Sequence, residues 1–297
     1  MCGIAGLFLK NGRLEHDLGA LLAAMTSTLC ERGPDSAGFA LYTNGADDGL
    51  KLTVTSNAAT DFEKVAANLG RAIGATVTAR VRDTHATLSL PADTAVQARA
   101  WLADQGVTVV SEGRRLEIFK EVGYPTEVAR RFDIPSIGGT HAIAHTRMAT
   151  ESAVTTNGAH PFSTGRDQCL VHNGSLSNHA SLRRELRRDG IRIETANDSE
   201  VAAGYLSREL RRGRSLGDAL ESSLSDLDGF FTFVVGTETG FGVLRDPIAC
   251  KPAVMAETDD YVGFASEYRS LTCLPGIAQA RLFEPKPATP YFWESRP

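Results

Sequence analysis

The sequence suggests an α+β protein built from two sheets with helical layers, an architecture that pattern alone does not fix. Three observations carry that expectation. Apolar runs of strand length stand towards both ends of the chain. Helical patterns lie between them. A middle stretch, about residues 50–135, follows a compact strand-and-helix pattern of its own. The chain has 297 residues, 42% hydrophobic and 23% charged, which suits one large domain, or one domain carrying an insert, with a real core.

Residues 3–9 form an apolar run closed by the turn dipeptide Asn11-Gly12. Leu18, Leu21, Leu22, Met25 and Leu29 then share one helical face, and Gly33-Pro34 stops that helix. Residues 36–42 read as a strand, followed by a polar loop over 43–49. Within the middle stretch, 76–81, 84–90, 107–110 and 116–120 read as short strands. Residues 93–104 read as a helix with Asp93 or Thr94 as N-cap, and 126–132 as another. No catalytic motif falls in this stretch. Strands resume at 141–148 and 168–171. Three helices follow, over 178–188, 198–211 and 215–227, the last with Ser215 and Asp218 at capping-box spacing. Two hairpins come next, 230–236 with 242–245 and 254–257 with 261–266, and the proline-rich tail from Pro285 reads as irregular.

The net charge of −5 offers no basic excess for a nucleic-acid partner. The densest basic run, Arg183, Arg184, Arg187 and Arg188, has Glu185 and Asp189 mixed in and reads as a solvated helix face. Five scattered cysteines, Cys2, Cys30, Cys169, Cys250 and Cys273, fit neither a disulfide framework nor a zinc site. A reducing, cytoplasmic setting is expected. The N-terminus lacks the flanks of a signal peptide, and no stretch has the length of a membrane span. No phosphate-binding glycine loop, flavin motif or iron–sulfur cysteine motif is present, so no cofactor is expected in this chain.

Met1-Cys2-Gly3 opens the chemistry. Removal of Met1 would put a thiol and a free α-amine on one residue. A thiolate is a strong nucleophile, and an α-amine titrating at about 7.7–8.0 accepts a proton near neutral pH. Alone, Cys2 reads better as a buried core thiol. Four further motifs shift the balance: Arg32-Gly33-Pro34-Asp35-Ser36-Ala37-Gly38, His145-Thr146-Arg147-Met148-Ala149-Thr150, His172-Asn173-Gly174 and Asn197-Asp198-Ser199-Glu200.

With these five motifs in this order, the sequence resembles the class II glutamine amidotransferases, a branch of the N-terminal-nucleophile hydrolases. The resemblance covers most of the chain outside the middle stretch. It implies a four-layer αββα sandwich, read here as one amidotransferase domain over 1–297 interrupted by an insert at about 50–135. It implies Cys2 as nucleophile, with Asn173 and the backbone N–H of Gly174 as the oxyanion hole. Arg147 would bind the α-carboxylate of glutamine, since a guanidinium fork matches a carboxylate. Asp198 would bind the α-ammonium, although a plain helix N-cap is its common alternative. An Asn-Gly turn between strand and helix is the bland reading of Asn173-Gly174. Arg32 and Gly33 would form the wall beside Cys2, and Thr150 and His160 are candidates for the rim or for a supporting position just behind the site. The chain departs from the family pattern at Glu31, where a histidine often precedes Arg-Gly.

The implied activity is hydrolysis of L-glutamine to glutamate and ammonia. Stand-alone chains of this kind resemble the amidotransferase subunits of glutamate-synthase-like systems, N-methylglutamate synthase among them. A partner subunit would then carry the acceptor site, with flavin and an iron–sulfur cluster. A partner-free glutaminase, an amidase acting on another substrate, and a non-catalytic binding protein that keeps the fold are the alternatives.

Overall fold

A computed structural model describes residues 2–45, 49–56, 59–149 and 154–295. Its elements begin with β1 (Gly3–Leu9), α1 (Leu18–Ser27), β2 (Ser36–Tyr42), β3 (Gly49–Thr55), α2 (Phe62–Ile73), β4 (Thr78–Arg82) and β5 (His85–Pro91). Next come α3 (Ala95–Asp104), β6 (Thr108–Gly113), β7 (Leu116–Val122), α4 (Pro125–Arg131), β8 (His141–Arg147), β9 (Phe162–Gly165), β10 (Gln168–Leu176) and α5 (His179–Arg188). The chain continues through α6 (Asp198–Arg211), α7 (Leu216–Asp226), β11 (Gly229–Gly236), β12 (Gly240–Arg245), β13 (Val254–Glu257), β14 (Tyr261–Ala265), β15 (Arg281–Phe283) and β16 (Tyr291–Glu294).

Alternation along β1 explains the layering. Ala5, Leu7 and Leu9 pack with Leu18, Leu22 and Met25 of α1 and with Val128 and Ala129 of α4. Ile4 and Phe8 point the other way and meet Val171, Val234 and Phe241 of a second sheet. One strand therefore serves two cores, as the period of two requires. The first sheet has seven strands in the order β15-β13-β14-β1-β8-β2-β7, and the second has five, β16-β12-β11-β10-β9. Leu170, Phe231 and Leu244 on the outer face of the second sheet pack against Leu186, Leu206 and Leu220 of α5, α6 and α7. Helices, sheet, sheet and helices make the αββα sandwich that the motifs implied.

Between residues 49 and 113 the chain builds a separate four-stranded sheet, β4-β5-β3-β6, with α2 and α3 over its own core of Leu52, Leu69, Leu88 and Leu102. The sequence reading set the insert's end near residue 135. The small sheet itself stops at Gly113, whereas β7 pairs with β2 along Ser36–Tyr42 and α4 joins the helical layer of the large sheet. Glu117 of β7 ties the two parts together. Its buried carboxylate takes Lys51 Nζ at 3.0 Å, Thr87 Oγ1 at 3.0 Å and a close contact from Arg80. Burial works against that charge, yet Lys51 and Arg80 hold its carboxyl below the usual range.

Several local readings need correction. The tail is not wholly irregular, since Tyr291–Glu294 pairs with β12. The strand at 168–171 runs on to Leu176. Thr94 is the N-cap of α3, one of the two residues expected there, but no side-chain hydrogen bond closes the cap, and Asp93 lies in the 3-10 turn Ala92–Thr94 that leads into the helix.

Candidate functional site

Two strand ends and one strand interior converge. Gly3 pairs with Thr146, which sets Cys2 beside Arg147 at the end of the β1–β8 ladder. Cys2 precedes Ile4 by two residues, and Arg147 follows His145 by two. On strand alternation both turn towards the gap between the sheets, where Ile4 and Ile143 lie. Asn173 shares the face of Cys169 and Val171 on β10 and looks into the same gap from the other sheet. Its Nδ2 donates to the Cys2 carbonyl at 3.3 Å.

Arg32 holds the same carbonyl from behind, with Nε donating at 3.1 Å while Nη1 pairs with Glu267 at 2.7 Å. The guanidinium is thus committed to the backbone of Cys2 and to a carboxylate that follows β14. Sequence pattern gave no sign of Glu267. Exposed Glu31 occupies the position where the family often has histidine, and Arg32 reaches these partners without it. Gly33 closes on β8. A Cβ there would stand 2.3 Å from the Thr146 carbonyl carbon and 2.5 Å from Arg147 N, so only glycine allows this approach. Asp35 accepts from Ala149 N at 2.8 Å and fixes the chain just beyond Arg147. It too was missed as a functional position.

The sequence reading allowed an Asn-Gly turn at Asn173-Gly174. Both residues lie inside β10 instead, paired with Thr232 and Phe231 of β11. Gly174 has φ +154, and a Cβ would meet Phe230 O at 2.0 Å. The glycine is required by the ladder and not by a turn. Asp198 is the first residue of α6. Asn197, not Asp198, is the N-cap, with its side chain accepting from Ser199 N at 2.9 Å. Asp198 Oδ2 accepts from Leu176 N at 2.9 Å, which draws the carboxylate to the end of β10. Ser36 pairs in register with Arg147, and Thr232 with Asn173. Both hydroxyls are buried without a hydrogen-bond partner among the described residues, so two further polar groups stand next to the predicted site residues.

Behind the site runs a chain of histidines. His145 Nε2 donates to His172 O at 3.2 Å, and its ring stacks on His160 at 4.1 Å. His160 Nδ1 accepts from His172 N at 3.3 Å. Burial pushes His145 down to about 3 and lowers His160 and His172, so all three are neutral at pH 7. The 3.9 Å approach of Asp198 to His172 is accordingly no ion pair. Of the two places open to it, His160 lies behind the site as a buried support of β10. Thr150 lies outside the described residues.

Cys2 is half-buried. Cys30 and Cys169 are buried, and burial raises both thiols, Cys169 to about 12. Among the described residues no group of three or more His, Cys, Asp or Glu side chains is arranged to hold a metal ion, and no helix is long and apolar enough to cross a membrane. The arrangement can present a thiol to an amide carbon, amide donors to a developing oxyanion, and opposite charges to the two ends of an α-amino acid.

Comparison with known proteins gives this geometry a context. Residues 145–273 match a family model described as a glutamine amidotransferase domain. The chain is 58% identical over 297 residues to the glutamine amidotransferase-like protein GlxB of Rhizobium meliloti (strain 1021), covering 99% of this chain and 98% of that protein. Its fold matches the glutamine phosphoribosylpyrophosphate amidotransferase from B. subtilis with a TM-score of 0.61 at 20% identity, over 99% of this chain and 49% of that one. A second solved structure, of the allosteric regulatory enzyme of purine biosynthesis, matches with a TM-score of 0.64, again at 20% identity, over 99% of this chain and 47% of the other. The chain thus spans about half the length of each of these two structures, and the likeness to them is one of fold.

Proposed function

The chain belongs to the class II glutamine amidotransferases, and from that premise we propose that Cys2 is the nucleophile that releases ammonia from the side-chain amide of L-glutamine. The observation that carries this reading is the convergence of Cys2, Arg147 and Asn173 at one end of the gap between the sheets. Once Met1 is removed, the α-amine of Cys2 takes the thiol proton. The sulfur attacks Cδ of glutamine, and the carbonyl oxygen gains the charge. Asn173 Nδ2 and the N–H of Gly174 stabilise that oxyanion. Collapse breaks the C–N bond, and the proton held by the α-amine leaves with the nitrogen as ammonia. Water then cleaves the thioester to give glutamate and restores the thiol. Arg147 receives the substrate carboxylate and Asp198 its ammonium. Arg32 and Gly33 act as positioning residues, one on the Cys2 carbonyl and the other on the β8 backbone.

The ammonia is consumed at an acceptor site on a separate synthase subunit of glutamate-synthase type. Resemblance to the stand-alone amidotransferase subunits of such systems supports this finer reading. Glutamate release by Cys2→Ala, measured with its co-purifying partners, is expected to fall to background. Full activity in that variant would end the proposal. Co-purification from native extract of a flavin-containing subunit is the expected sign of the partner, and its absence from a catalytically active preparation would remove the glutamate-synthase assignment.

A further inference from the structure

Where the small sheet meets the sandwich, a cavity of about 500 Å³ lies between β6, β9 and α6. Its size suits a small metabolite. None of Cys2, Arg147, Asn173, Gly174 or Asp198 lines it, so it is separate from the glutamine site. Gln168 on its wall is only 2% exposed. The Gln168 Oε1 accepts from Ser207 Oγ at 2.8 Å, and Nε2 has no hydrogen-bond partner among the described residues. Turning the amide over would leave the oxygen unpartnered instead, so one polar atom is unused in either orientation. Ser111 Oγ, on β6, is buried on the same wall and also unpartnered. Buried polar atoms ordinarily find a partner, and two unsatisfied ones on one wall point to a ligand.

The charge on the walls indicates its class. Five cations and three carboxylates line the cavity. Glu112 is shared between Arg99 at 2.7 Å and Arg166 at 3.2 Å. Glu200 is occupied by the N–H groups of Glu194 and Thr195 and by the Thr195 hydroxyl. Glu194 pairs with Arg192, so all three acids are engaged, and five cations against three carboxylates leave a positive surplus. Glu200 and Arg211 stand eleven residues apart on α6, about 16 Å at the rise of a helix, so the cavity is a trough along that helix. Gly165 packs on Ser207, near the Arg211 end, and brings Arg166 there as the next residue.

We propose that this trough binds a small oxyanion carrying two or more negative charges, with its charge against Arg99, Arg166 and Arg211 and its polar body against Gln168 and Ser111. Guanidinium forks suit carboxylate and phosphate alike, so two probes separate the sources. Isothermal titration of the full chain with pyrophosphate, and separately with succinate, should show saturable binding of at least one. Pyrophosphate alone would identify a phosphate-bearing ligand, and succinate alone a dicarboxylate. Arg211→Ala, on the exposed side of the helix, and Gln168→Leu should each weaken that binding about tenfold or more. Absence of binding by either probe at millimolar concentration would overturn the proposal. So would unchanged affinity in Arg211→Ala, whose exposed position removes misfolding as an explanation. The readout is binding, so the result stands apart from whether Cys2 hydrolyses glutamine.

Discussion

Asn173 joins the two sheets at the point where the chemistry is proposed. Its Nδ2 reaches the Cys2 carbonyl at 3.3 Å, and Gly174 follows it with a backbone that only glycine adopts readily. Loss of one oxyanion donor typically lowers kcat about a hundred- to thousandfold. Asn173→Ala is therefore expected to lose that much kcat in steady-state glutaminase assays, with a smaller change in KM. A rise in KM alone would mean that Asn173 acts only in binding. At this scale the sequence was informative where motif residues carry their own chemistry. Cys2, Arg147, Asn173 and Asp198 could be named from type and order. Glu267, Asp35 and the histidine stack could not, because each meets its partner only after the strands have paired.

Helices and strands fix the site through close backbone approaches. Gly33 presses on Thr146 and Arg147 in the last turn of the chain before β2, so the motif that opens at Arg32 and the one that opens at His145 are one structural unit. Gly33→Ala inserts a Cβ within 2.5 Å of Arg147 N. Overpacking of this kind typically costs about 1–3 kcal/mol, and here it also displaces the residue proposed to hold the substrate carboxylate. The urea midpoint should fall and KM for glutamine should rise together. An unchanged KM would separate Gly33 from the site. Element boundaries were readable where caps or turns mark them. α2 carries such signals, with Asp61 accepting from Lys64 N at 3.0 Å and Gly74 at φ +68, although no helix is expected there from the apolar pattern. β10 was misjudged for a different reason. His172-Asn173-Gly174 has turn composition, and pairing with β11 overrides that local preference.

Across the whole molecule, buried neutral histidines link stability to pH. Burial holds His85, His141 and His145 down to about 3, against an ordinary value of 6.5. Below about 6.5 the unfolded chain binds protons at these positions and the folded chain does not. Their stabilising contribution is fully present above about 6.5 and is lost as pH falls towards 3, by up to about 1.4 kcal/mol per pH unit for each histidine. Urea unfolding should therefore show a clearly lower midpoint at pH 5 than at pH 7. Equal midpoints would mean that these rings are not held neutral. The αββα layering was foreseeable from the five motifs through family resemblance, whereas strand pattern alone left it open. The trough at the small sheet was not foreseeable, since its walls come from β6, β9 and α6, which are far apart in sequence. The central claim, that Cys2 meets glutamine, is tested most directly by labelling the full chain with an electrophilic chloroketone analogue of glutamine and mapping the modified peptide by mass spectrometry. The account predicts modification at Cys2, suppressed by excess glutamine, with the exposed Cys250 and Cys273 left largely unlabelled. Labelling spread over Cys250 and Cys273, or labelling of Cys2 that glutamine does not suppress, would contradict it.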